Sequence, residues 1–318
     1  MRSFTIGKND AGQRLDKFLN KAVPRLPASL MHKYLRLKRI KLNRKRCDNA
    51  TRLNEGDLLE LYIGDEFFGD AEGENAFLLA PNDLNILYED ENILLADKPP
   101  GLIVHEDDRE AVDTLINRIQ RHLFERGEYD PANENSFAPA LCNRIDRNTG
   151  GIVIAAKTAE ALRIINEKIK LREVHKYYLC IVHGIPPKKS DTLCAYLKKD
   201  SEQNRVTVQS RPFPGAKEIR THYRVLAQKD GRALLEVDLL TGRTHQIRAH
   251  LAFVGHPLLG DTKYGTNQQN KGSGHRVQAL YSYRLAFRFQ GDAGALGYLN
   301  GREFEVRDVW FAEEFLDR

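Results

Sequence analysis

Cysteine is scarce: the 318 residues hold only Cys47, Cys142, Cys180 and Cys194, widely separated and with no CxxC pair. That spacing argues against a disulfide framework or a thiolate metal site. Of the ten histidines, His245 and His250 lie five apart, with no HExxH and no carboxylate cluster beside them, so no metal is expected. There is no GxxxxGK[ST] and no GxGxxG after a strand, so no nucleotide cofactor is expected either. No apolar run approaches the roughly 20 residues that cross a bilayer, and the opening MRSFTIGKNDAGQR lacks the apolar core of a signal peptide. A cytoplasmic protein without a membrane partner is the expectation, with a monomer as the default.

What is present is ordinary in bulk and uneven in detail. Apolar residues make up 41% and charged residues 29%, as in a globular protein, and the length suits one large domain with a small companion. The net charge of +5 is modest. From Gly12 to Arg52, however, there are 13 Lys or Arg against two Asp, and from Gly64 to Asp97 ten Asp or Glu and no Lys or Arg. A basic module is followed by an acidic stretch.

In the basic module, Leu15, Phe18, Leu19 and Val23 recur at helical spacing, as do Leu30, Tyr34 and Leu35 after Pro27. Ile40 and Leu42 then alternate with polar residues, and LNEGDLLELYI forms a strand after the Glu55-Gly56-Asp57 turn. A small αα-plus-hairpin unit results. Any few of its cations would serve as a solvated face; thirteen exceed what solubility needs and fit phosphate binding. The pattern RLDKFL, SLMHKYLRLKRIKLNRKRC, LNEGDLLEL resembles the S4 RNA-binding domain. That resemblance implies an RNA partner, met by Lys33, Arg36, Lys38, Arg39 and Arg44.

The domain boundary is expected within GDEFFGDAEGENAFLLAPND: 1–63 as the S4-like domain, 64–83 as an acidic linker, 84–318 as the catalytic domain. The last region reads as α+β on a mixed, largely antiparallel sheet. Its strands are GGIVIAAK, KYYLCIVHG, KEIRTHYRVLAQ, RALLEVDLL and YSYRLAFRFQ, with a helix from Thr158 to about Lys170 capped by Thr158.

The segment APALCNRIDRNTGGIVIAAKT sets Asp146 between Arg144 and Arg147, ahead of a diglycine and an apolar strand. Guanidinium groups favour an ionised carboxylate, which suits a nucleophile or base, and glycines let a substrate approach the main chain. A structural Asp capping a turn between surface arginines fits the same local spacing. Likewise Tyr177 and Tyr178 point to opposite strand faces, and periodicity alone does not choose between core and ligand.

NRIDRNTGGIVIAAK resembles the HRLDRxTSG segment of the RluA family of pseudouridine synthases. YEDENILLADKPPGLIVH, EVHKYYLCIVHG and TGRTHQIRAHLAFVGHPLLGDTKYG match the same family in order and spacing. The resemblance implies that Asp146 is the catalytic aspartate and Tyr178 the residue stacking on the extruded base, with Lys176 nearby. It further implies that Arg248 pairs with Asp146, that Arg144 fills the space left by the flipped base, and that Arg147 and Arg243 meet RNA. An S4-like module in front is common among RluC- and RluD-like members, which implies large-subunit ribosomal RNA as substrate. A transfer-RNA synthase, a binding-only assembly factor and a nucleic-acid glycosidase are the competing readings; the last usually needs two carboxylates. Taken without the family pattern, Arg248 reads as a solvated residue on a strand edge. Asn143 and Gly150 depart from the family's His and Ser.

Overall fold

A computed structural model gives the fold and describes residues 1–68, 75–105, 112–200, 202–271, 274–275 and 277–315. The basic N-terminal region forms its own four-stranded antiparallel sheet, β1 (Arg2–Thr5), β4 (Leu58–Leu61), β2 (Ile40–Leu42) and β3 (Lys45–Arg46) in spatial order. Two helices cover it, α1 (Leu15–Ala22) and α2 (Ala28–Arg36). Leu15, Phe18 and Leu19 meet Met31 and Leu35 over Ile40, Leu59 and Leu61 in one apolar core. On α2 the fully buried positions are Met31 and Leu35, while Leu30 and Tyr34 are only part-buried at its edge. The β2–β3 turn places Asn43 and Arg44 at φ 51° and 64°, the left-handed pair that a tight hairpin requires.

The remainder is built on an eleven-stranded sheet. Its path runs β11 (Arg205–Gln209), β10 (Ser190–Asp200), β12 (Lys217–Lys229), β13 (Arg232–Asp238), β9 (Val174–His183), β14 (Leu280–Phe287), β8 (Gly150–Ala156), β6 (Ile93–Lys98), β5 (Ile86–Glu89). The short β7 (Ala140–Leu141) joins β8, and β15 (Glu303–Glu305) joins β14. Among the described strands of this sheet only β14 and β8 pair in parallel, through Tyr281 with Gly150 and Ser282 with Gly151; the other strand pairs are antiparallel. The sheet is therefore mixed, with helices on its faces.

Both faces of the central strands are covered, which explains their near-continuous apolar sequence. Leu94 and Ala96 of β6 join a core with α3 (Leu115–Glu125) and with Ile247 and Leu251 of α5 (Gln246–Phe253). Ile93 and Leu95 face the other way, toward Ala161 and Ile165 of α4 (Ala159–Lys170). Thr158 caps α4, its hydroxyl accepting from the Ala161 N–H at 3.1 Å. The last helix, α6 (Asn267–Asn270), is a single capped turn. The helix α3 and the strands β10 and β11 are absent from the sequence reading, and α5 stands where a strand is expected around Arg248. Its Ile247 and Leu251, one helical turn apart, face the core together. Within the stretch read as a linker, Phe68 packs in the N-terminal core and Phe77 in the main one, while residues 69–74 lie outside the described set.

The two units meet through polar groups. Asp10 is only 1% exposed, and its carboxylate accepts from Ser136 Oγ (2.6 Å), Asn135 Nδ2 (2.7 Å) and the Gly7 N–H (3.2 Å). Gln13 Nε2 donates to Ser136 Oγ, Asn9 bridges Glu134 and the Ala159 N–H at the start of α4, and Arg163 donates to the Ala11 carbonyl. Replacing Asp10 by Ala strands the donors it holds, and leaving a buried donor unpaired costs about 1–3 kcal/mol. Backbone hydrogen exchange across residues 5–13 and 134–136 is expected to accelerate in Asp10→Ala, and unchanged protection there would contradict this docking.

Candidate active site

Asp146 lies on the loop between β7 and β8, and that loop is fixed from three sides. At its start the Asn143 carboxamide oxygen accepts from the Ile154 N–H at 2.8 Å, tying it to β8. In its middle Lys98, wholly buried, donates from Nζ to the carbonyls of Pro99 (2.9 Å), Leu102 (2.8 Å) and Arg147 (2.9 Å). Burial pushes the Lys98 ammonium down to about 7, while Asp146 and Asp97 pull the other way, and three carbonyls match its three N–H donors. Arg147 completes the clasp: its Nε donates to the Gly101 carbonyl at 3.0 Å and its own carbonyl accepts from the Gly101 N–H at 2.8 Å. At its end Gly151, φ +111°, packs so closely on β14 that a Cβ would sit inside the Ser282 backbone. Next to it the Tyr281 ring fills the space a Cβ at Gly150 would need.

The Asp146 side chain remains 24% exposed and meets α5. Arg248 Nη1 donates to Asp146 Oδ2 at 2.8 Å. The opposite edge of the same guanidinium grips Asp261, Nε to Oδ2 at 2.7 Å and Nη2 to Oδ1 at 3.0 Å. Asp261 is wholly buried. Burial alone would raise its pKa, but Arg248 and the N–H groups of Lys263 and Tyr264 outweigh that and hold the carboxyl below its usual range. Arg248, itself buried, has its pKa raised despite desolvation, because both aspartates favour the charge. His245 stands just before α5 in the left-handed conformation, φ 51° and ψ 20°, with Nε2 3.9 Å from Asp146 Oδ2 and Nδ1 2.9 Å from the Tyr264 hydroxyl.

Tyr178 is buried on β9 opposite Ser282, among the apolar core that also holds Ile145 and Ile247. Burial pushes its phenol up to about 12; a hydrogen bond with Ser282 opposes this and the charge of Asp146 adds to it. Tyr177 points to the opposite face, under the Arg284 guanidinium at 4.1 Å. Lys176 shares Tyr178's side of β9, half-buried, its pKa lowered by desolvation and by Arg172. Arg144 is exposed on the Asp146 loop, and Arg243 is exposed in the turn before α5. Lys33, Arg36, Lys38, Arg39 and Arg44 are exposed on α2, the turn that follows it and the β2–β3 turn, none of them paired with a carboxylate among the described residues. His250, five residues after His245, turns inward to Thr221 Oγ1 at 3.0 Å, and burial lowers its pKa to about 4. Sequence reasoning passed over Lys98 and Asp261, although both sit inside the family-like DKPPG and GDTKYG stretches.

The family model for RNA pseudouridylate synthase matches residues 92–253, half of the chain. An uncharacterized RNA pseudouridine synthase of Mycoplasma genitalium is 37% identical over 89% of this chain and 88% of its own length. The chain belongs to the RNA pseudouridylate synthase family. It is thus an RNA-modifying isomerase that converts uridine to pseudouridine. The synthase is also 32% identical to ribosomal large subunit pseudouridine synthase C of Buchnera aphidicola, over 82% of this chain and 77% of that one. Ribosomal large subunit pseudouridine synthase D of Nitrosomonas europaea is 29% identical, over 88% of this chain and 78% of that one. Among solved structures, human RNA pseudouridylate synthase domain containing 1 shares the fold at TM-score 0.57 and 21% identity, covering 73% of the synthase and 86% of the human chain.

Asp146, Tyr178 and Arg248 all fall in the matched span, whereas Asp261 and Tyr264 lie beyond it. Asp261→Asn removes one charge of a buried pair, a change that costs about 3–5 kcal/mol. The expected result is a clearly lowered melting temperature by calorimetry, and an unaltered one would rule out Asp261 as the anchor of Arg248. Gly151→Ala is expected to cost about 2–4 kcal/mol through strain and overlap with Ser282. Chemical denaturation of that variant tests the close β8–β14 approach, which a wild-type midpoint would refute.

Proposed function

We propose that Asp146 is the carboxylate on which the isomerisation depends, that Arg248 orients it, and that Tyr178 holds the free uracil. The supporting observation is the 2.8 Å bond from Arg248 Nη1 to Asp146 Oδ2, made by a guanidinium whose other edge is already held by Asp261. Pseudouridine formation breaks the N1–C1′ bond of uridine, turns the base and forms C5–C1′; N1 gains a proton and C5 loses one. No redox step is involved. The carboxylate serves this reaction by attack at C1′, addition to the ring, or removal of the 2′ proton, and each route needs one oriented oxygen beside an extruded base. Arg144, exposed beside Asp146, is assigned to the gap left by that base, where a planar cation stacks well. Arg147, Lys176 and Arg243 are assigned to RNA contacts.

The reading extends to an S4-type RNA-binding domain at residues 1–63, an acidic connection at 64–83 and the catalytic domain at 84–318. Two helices over a small sheet, with five exposed cations that pair with no carboxylate among the described residues, support the first of these. Phosphate contacts from Lys33, Arg36, Lys38, Arg39 and Arg44 offset the few kcal/mol that extruding a base costs. The substrate is large-subunit ribosomal RNA in the cytoplasm, a choice supported by the names of the Nitrosomonas and Buchnera relatives.

Asp146→Asn is expected to abolish tritium release from RNA carrying 5-³H-uridine while RNA affinity stays near wild type; an active Asn variant would remove Asp146 from the chemistry. Replacing Lys38, Arg39 and Arg44 together by Gln is expected to weaken RNA binding and to flatten the dependence of log Kd on log salt by about 0.7–0.9 for each phosphate no longer neutralised. An unchanged slope would place the RNA elsewhere. Mapping pseudouridines in a strain lacking the synthase, against its parent, identifies the modified uridines and separates ribosomal from transfer RNA.

A further inference from the structure

The reading of Asp146 as the reacting carboxylate leaves open which of its oxygens meets the substrate, and the surroundings are unequal. Arg248 Nη1 and His245 Nε2 both address Oδ2, at 2.8 and 3.9 Å, and Oδ1 has no partner among the described residues. His245 is held in an uncommon way for this purpose. It adopts left-handed backbone angles that cost a non-glycine residue about 1–3 kcal/mol, and its side chain is only 8% exposed.

The Tyr264 hydroxyl fixes the ring. Its oxygen accepts the Val206 N–H at 3.0 Å, and with that acceptor position in use its own proton is assigned to His245 Nδ1, 2.9 Å away. A neutral imidazole whose Nδ1 accepts carries its hydrogen on Nε2, the nitrogen facing Asp146. The neutral form is favoured because burial and the cations Arg248 and Lys263 lower the His245 pKa against the opposing pull of Asp146 and Asp261. Tyr264 is braced in turn, with the Arg205 and Arg248 guanidinium carbons 5.6 and 5.3 Å from its ring centre.

We propose that His245, oriented by Tyr264, is a positioning residue for Asp146: with Arg248 it holds Oδ2, so that Oδ1 is the oxygen presented to the flipped uridine. A carboxylate held by one donor rotates about its Cβ–Cγ bond; two donors converging on the same oxygen stop that rotation. At 3.9 Å His245 Nε2 stands just outside hydrogen-bond distance of Oδ2; the proposal requires it to close on that oxygen when the uridine is bound, as hydrogen bonds at catalytic groups do. The inference rests on the reading of Asp146 given above.

The test uses the full chain and 5-³H-uridine-labelled total RNA from cells lacking the synthase, with kcat and KM read from tritium release. Glutamine places its amide N–H where His Nε2–H stands, whereas asparagine tolerates left-handed backbone angles better but reaches only as far as Nδ1. His245→Gln is expected to keep most of the rate. His245→Asn and His245→Ala are each expected to lose about ten- to hundred-fold in kcat, the size seen when a partner orienting a reacting group is removed, with KM unchanged. Tyr264→Phe, which keeps the ring and loses only the hydroxyl, is expected to fall between them. If Asn rescues better than Gln, His245 serves the backbone turn and the proposal is overturned; equal activity of all four variants overturns it too. Asp146→Asn, measured alongside, keeps the two claims apart. An active Asp146→Asn enzyme removes the underlying reading, whereas an inactive one beside a fully active His245→Ala removes the positioning role alone.

Discussion

One guanidinium, that of Arg248, is shared between two carboxylates, and the rest of the catalytic body arranges itself around that sharing. Its Nε and Nη2 are committed to Asp261 in the interior, and only Nη1 is left for Asp146 at the surface of the site. A buried ion pair contributes little net stability because desolvation cancels much of the attraction, but it fixes direction, since an unsatisfied charge there is very costly. The arginine therefore has one orientation available. It is delivered there by α5, whose Ile247 and Leu251 lock the helix into the main core.

The partner of that arginine has to arrive from another element, and the loop before β8 is built to deliver it. Lys98 satisfies three backbone carbonyls at once, Asn143 binds the Ile154 N–H, and the diglycine lets β8 run against β14 with almost no clearance. The two departures from the family pattern sit inside this machinery. At Gly150 the Tyr281 ring occupies the volume a side chain would take, and Tyr281 is itself held by Asp97 at 2.6 Å. At position 143 the amide oxygen accepts from the Ile154 N–H and so ties the loop to β8.

The N-terminal unit contributes charge without contributing apolar contact to the site. Its cations stay on an exposed face while Asp10, Asn9 and Gln13 fasten the unit to the catalytic body through polar groups. Phosphate attraction acts over about a Debye length, roughly 8–10 Å at physiological salt, so it needs surface and not close packing. A polar seam between the units is compatible with that division of work.

Much of this is legible in the chain. The two N-terminal helices, the strands β8, β9, β12, β13 and β14 and the capped helix α4 follow from apolar spacing and from Thr158, because these elements obey local rules of period and capping. The pairing of Arg248 with Asp146 is legible through a pattern of motifs, and the proposed roles of Asp146 and Tyr178 come from the same pattern. The helix α3 obeys the same rules, with Thr114 as its cap and Leu115, Ile119 and Leu123 at helical spacing, and was passed over. The strands β10 and β11 are not legible, since their burial depends on distant partners, and α5 reads as a strand because a short helix buried at Gln246, Ile247, Arg248, Ala249, His250 and Leu251 shows no one-faced period. Sequence by itself determined which chemical groups are present and the family they belong to, because motif order is a one-dimensional property. Only the tertiary structure decided that Asp261, 115 positions after Asp146, completes the hold on Arg248, and that His245 turns toward Asp146 with the Tyr264 hydroxyl behind it. Those relations depend on distances of a few ångströms between residues far apart in the chain, and local propensity carries no record of them.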